Sequence, residues 1–63
     1  MLLVSEYEFM NLVNGISGRL VEKKTNGSFI RQCGNKFYIV DMTNFTLTIV
    51  DTETSITEFY KVK

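Results

Sequence analysis

Cys33 is the only thiol in the chain, and no histidine accompanies it. A cysteine nucleophile needs a base within hydrogen-bond reach to take its proton, so this thiol by itself describes no catalytic pair. The alternation of its strand puts Cys33 on the same side as Phe29, where a buried free cysteine acts as a small apolar side chain. An internal disulfide and a cysteine-rich zinc site both fail on the same count.

The acids are Glu6, Glu8, Glu22, Asp41, Asp51, Glu53 and Glu58. Two carboxylates can divide acid and base work between them, but each of these has a structural role open to it. Glu6 and Glu8 fall at a helix start, Glu22 falls opposite a basic strand residue, and Asp51 and Glu53 share a turn. The last two could touch one cation together, yet turns commonly use such acids to fix their own backbone. Gly15, Gly18, Gly27 and Gly34 stand singly and form no phosphate-cradling loop. The reading is a non-enzyme, with no catalytic residues, no metal ligands and no cofactor.

Nucleic-acid binding is the second reading. Lys23, Lys24, Arg31 and Lys36 lie near Phe37 and Tyr38 in the strands. Small five-stranded barrels hold single strands with such mixtures of base and aromatic ring. However, Lys plus Arg and Asp plus Glu number 7 each, so net charge is zero. Phosphate contact supplies most non-specific affinity, and a neutral chain has little attraction of that kind.

The elements that must carry these residues are legible. Ser5-Glu6-Tyr7-Glu8 is a capping box, with Val4 and Phe9 placed for a hydrophobic staple. Phe9, Leu12, Val13 and Ile16 follow helical spacing. The pattern predicts a helix over residues 5–14, with Asn14-Gly15 as a left-handed stop. Five strands follow: Arg19–Lys24, Ser28–Cys33, Lys36–Met42, Phe45–Asp51 and Ser55–Val62. Two-residue turns are expected at Asn26-Gly27 and Gly34-Asn35, with further turns at Thr43-Asn44 and Thr52-Glu53.

Those turns set a register. The first pairs Leu20 with Cys33, Glu22 with Arg31 and Lys24 with Phe29. The second pairs Arg31 with Tyr38 and Phe29 with Val40. The third pairs Met42 with Phe45, Val40 with Leu47 and Tyr38 with Ile49. The fourth pairs Ile49 with Ile56, Leu47 with Glu58 and Phe45 with Tyr60. All four put one apolar set on one face, and Glu58 is its awkward member. Packing the helix stripe on that face gives a single α+β domain over residues 1–63: an N-terminal helix on a five-stranded antiparallel β-meander. A small, partly open β-barrel capped by the helix is the alternative.

The opposite face is more apolar than a solvated antiparallel face should be. It carries Val21, Ile30, Phe37, Ile39, Val50 and Phe59 among Lys23, Gln32 and threonines. These six are the candidate partner-binding residues. A chain of 63 residues buries only about 60% of its unfolded surface, so self-association would also help it. The expected function is a protein-interaction module for a protein of unidentified type, with a structural homodimer as a further alternative. The exposed edge strands Arg19–Lys24 and Ser55–Val62 offer a second route by strand addition.

The sequence contains no alanine, proline, histidine or tryptophan and is rich in Asn, Lys, Ile, Phe and Tyr. That bias suits an AT-rich coding sequence, as in low-GC bacteria and their phages, and points to a phage or mobile-element regulator or inhibitor of a host protein. The opening Met-Leu-Leu-Val run is too short for an export signal. With no membrane span and a lone thiol, a cytoplasmic location is expected.

Overall fold

Helix α1 runs Glu6–Asn14 with Ser5 as its cap, in a computed structural model that describes residues 1–63. Both arms of the capping box are made. The Glu8 amide donates to Ser5 Oγ at 3.1 Å, and the Ser5 amide donates to Glu8 Oε1 at 3.3 Å. The helix stop differs from expectation. Gly15 has φ −84°, in the right-handed region. Its amide closes the last turn on the carbonyls of Asn11 and Leu12 at 3.1 and 3.2 Å, so no left-handed residue is needed.

The strands are β1 (Leu2–Val4), β2 (Arg19–Lys23), β3 (Phe29–Cys33), β4 (Lys36–Asp41), β5 (Thr46–Asp51) and β6 (Thr57–Val62). They form one open, six-stranded mixed sheet in the order β1-β6-β5-β4-β3-β2. The α+β class therefore holds, and two details are corrected. The sheet is not closed, because β1 and β2 stand at opposite ends, so the barrel alternative falls. A sixth strand joins the meander: β1 pairs parallel to β6, Leu2 with Tyr60 and Val4 with Val62, and the Lys63 amide donates to the Val4 carbonyl at 2.9 Å. Three residues are too few to show a period, and only the return of β6 supplies their partner.

One of the four turn assignments holds outright, and a second keeps its register across a wider loop that leaves Met42 and Phe45 unpaired. Gly34-Asn35 joins Cys33 to Lys36, pairing Arg31 with Tyr38 and Phe29 with Val40. Gly34 takes φ +60° at the first turn position, which suits a type II′ turn. The β4–β5 register also holds, with Val40 opposite Leu47 and Tyr38 opposite Ile49. Phe45, however, is not a strand residue. It closes a four-residue loop with φ +54°, and its ring still stands edge-on to Phe9 at 6.1 Å.

The other two registers slip. Lys24 and Ser28 flank the first turn: the Lys24 amide donates to the Ser28 carbonyl at 2.9 Å, and the Gly27 amide to the Lys24 carbonyl at 3.2 Å. This is a three-residue loop ending in left-handed Gly27 (φ +93°) rather than a two-residue one. Lys23 consequently faces Phe29 and Glu22 faces Ile30, while a bulge between Leu20 and Glu22 returns Leu20 to the side of Arg31. At the last turn, Leu47 pairs with Tyr60 and Ile49 with Glu58, two positions away from expectation. A slip of two keeps every side chain on its face.

The core lies between α1 and one face of the sheet. Phe9, Leu47, Val40 and Val4 are buried, with Phe29, Tyr38, Ile49 and Tyr60 packed around them. Leu20, Ile56 and Cys33 share that side by register but are exposed. A helix of nine residues extends about 13.5 Å; it leaves uncovered both the edge strand β2, which carries Leu20, and the strand ends near Cys33 and Ile56. Cys33 is therefore not the buried hydrophobe expected of it.

Candidate interaction face

Side chains alternate along a strand, and directly opposed residues share a face. Because Val40 and Leu47 point at the helix, their neighbours Ile39 and Thr48 point away. Two rows then cross the uncovered face. One runs Glu22, Ile30, Ile39, Thr48, Phe59, and the other Arg19, Gln32, Phe37, Val50, Thr57. Five of the six candidate partner-binding residues thus fall in two adjacent rows. The exception is Val21, the extra residue at the bulge of β2.

No second layer covers this face. Ile39 exposes 36% of its surface in the middle of the sheet and Phe59 38% at its flank, and Ile30, Phe37 and Val50 are half-buried. Phe9, on the covered side, exposes nothing. The charged groups of the bare face stand at its margins: Arg19 and Glu22 on β2, Asp41 at the end of β4, and Lys61 on β6. A shallow hollow of about 260 Å³ opens at one corner between the β2–β3 and β4–β5 loops, with Glu22, Ile30, Ile39 and Thr43 on its walls.

Loop-to-loop bonds tie neighbouring hairpins together at both ends of the face. At one end Asn26 Nδ2 donates to Thr43 Oγ1 at 3.1 Å, and buried Ser28 Oγ accepts the Met42 amide at 2.9 Å. At the other, Asn35 Nδ2 donates to Glu53 Oε2 at 2.6 Å, and the Asn35 carbonyl accepts the Thr52 amide at 2.9 Å. The two four-residue loops use one device. Asp41 Oδ1 accepts the amides of Thr43 and Asn44, and Asp51 Oδ1 those of Glu53 and Thr54. Those amide bonds hold both carboxyl groups below their ordinary value of 3.8. The acids of the Asp51–Glu53 turn are thereby engaged in fixing loops, and no group of three or more Cys, Asp or Glu side chains converges anywhere. Burial, with Glu58 beside it, raises the Tyr60 phenol.

The four basic candidates fall elsewhere. Arg31, Lys36 and Lys23 are on the helix side of the sheet by register, and Lys24 flanks the first turn. The Arg31 guanidinium donates to the Gly18 carbonyl at 2.9 Å and lies 5.8 Å from the Phe29 ring centre. Of the two proposed edges, only β2 is free along its length, because β1 covers Tyr60–Val62 of β6. All five residues of β2 are exposed. Gly18 is the site residue that sequence reasoning passed over. Its φ is +106°, and a Cβ there would stand 2.3 Å from the Gln32 carbonyl oxygen. Only glycine lets the chain enter β2 against β3.

No protein-family model, curated protein or solved structure matches this chain. No helix is long and apolar enough to cross a membrane.

Proposed function

We propose that this domain is a non-enzymatic protein-interaction module that works through the bare face of its sheet, with the β2 edge as a second docking line. The observation that carries this is the apolar cluster of Ile30, Phe37, Ile39, Val50 and Phe59 in two adjacent rows with nothing packed on it. Small proteins rarely leave such a patch exposed unless something binds there. The edge adds main-chain donors and acceptors that an incoming strand can pair with. Lys23 and Lys24 guard it against indiscriminate pairing. With the AT-rich composition, the concrete form of the proposal is a cytoplasmic phage or mobile-element regulator or inhibitor of a host protein.

The test is capture of a host protein from a low-GC bacterial lysate on the immobilised chain. The captured protein should bind the purified chain in a defined ratio. Phe37→Asp or a proline in β2 should release it, while circular dichroism shows the fold intact. A complex indifferent to both changes would overturn the proposal.

A further inference from the structure

We infer that the occupant of the bare face is a second copy of this chain, seated face to face across a two-fold axis that runs parallel to the strands between β4 and β5. The inference rests on reading this face as an interaction surface, names a second copy as its occupant, and leaves the β2 edge as the line open to a host protein. Two independent observations favour a second copy.

The first is pattern. A two-fold axis in that position lays β4 over the partner's β5 and β3 over the partner's β6. Ile39 then meets Thr48 of the other copy, Phe37 meets Val50, and Ile30 meets Phe59. Every apolar residue of the two rows gains an apolar or threonine partner, and each contact is made twice. A two-fold interface requires this self-complementarity. The charges also agree, since the Lys61 end of β6 comes over the corner that holds Asp41. Lys61 and Asp41 lie together on the row that passes through Thr46. A neutral chain meets no long-range repulsion from its own copy.

The second is area. The molecule measures 29 × 26 × 17 Å, and the short dimension is the thickness of helix plus sheet. The two long dimensions outline the sheet plane at 29 × 26 Å, a bounding area of about 750 Å², of the same order as the roughly 800 Å² that each partner buries in a standard stable interface. Its apolar middle and charged margin match the layout of such interfaces. The product is a two-sheet sandwich with sheets about 10 Å apart and a helix on each outer side. Both β2 edges stay free for a further partner.

The experiment is sedimentation equilibrium on the purified 63-residue chain over a wide concentration range. The expected mass is twice 7.3 kDa. Ile39→Asp should raise the dimer dissociation constant at least ~30-fold, the effect of one central anchor, whereas Tyr7→Asp on the outer side of α1 should not move it. Dilution followed by NMR on the unaltered chain should shift Ile30, Phe37, Ile39, Val50 and Phe59 and leave α1 still, so the test stands even if Ile39→Asp unfolds. A dimer that survives Ile39→Asp but is lost on Leu20→Pro would be paired by its β2 edges and would overturn the inference. So would a monomer at every concentration. In that case capture of a host protein that depends on Phe37 would leave the interaction reading standing, and loss of both would end it.

Discussion

Val40 and Ile39 are neighbours in β4, yet one is 2% exposed and the other 36%. Val40 lies under α1 with Phe9 and Leu47; Ile39 lies on the other side among residues of similar character. The two faces differ less in what they carry than in what covers them. One owns a helix supplied by the same chain. The other carries Ile30, Phe37, Ile39, Val50 and Phe59 among five polar residues and has no lid.

The contrast is open to direct attack. The largest effect belongs to Phe9→Ala under the helix, where loss of a fully buried ring costs about 3–5 kcal/mol. A domain of this size holds roughly that much stability in total, so urea titration followed by circular dichroism should find the variant largely unfolded. Gly18→Ala comes next. Its Cβ would press on the Gln32 carbonyl, and a strained backbone at positive φ costs about 1–3 kcal/mol, visible as a lower denaturation midpoint. Threonine at adjacent positions then separates the faces. Val40→Thr buries a hydroxyl without a partner and should cost about 1–3 kcal/mol. Ile39→Thr, measured at concentrations where the chain is monomeric, should stay within about 0.5 kcal/mol. Equal losses from the two would mean that the bare face is covered within one chain. Ser5→Ala removes the cap that aims α1 at the covered face and should cost about 1 kcal/mol.

Acid gives the gentlest probe. Asp41 and Asp51 hold their protons less tightly folded than unfolded, because backbone amides bind the carboxylates. Between the two values the unfolded chain binds more protons, so their contribution is complete above the ordinary carboxylate value. It fades as pH falls below 3.8. Asp51→Asn should flatten that decline in an acid titration of thermal stability, since an amide oxygen accepts the same bonds without titrating.

Much of this was legible beforehand, and the misses have physical causes. Ser5 and Glu8 fixed the helix start because a capping box is closed within four residues of chain. Asp41 and Asp51 also announced their loops. An Asp whose carboxylate takes amides two and three residues ahead is a local signal, and it would have placed the β5–β6 loop over Thr52–Ser55 and matched Tyr60 to Leu47. Ser28 gave no such signal, because its role depends on the Met42 amide arriving from fourteen residues away.

Alternation by itself assigned almost every strand residue to its face, since a side chain's side depends only on whether its position is odd or even. The same rule explains why the slip of two at β6 left the faces unchanged, and why the odd-length first loop moved Glu22 and Lys23 across until the bulge at Val21 corrected the rest. The register of the first and last hairpins, the sixth strand and the open form of the sheet were settled only in three dimensions. Each depends on which distant segment comes to lie alongside: β6 returning beside Leu2–Val4, and one short helix that can cover a single side of the sheet.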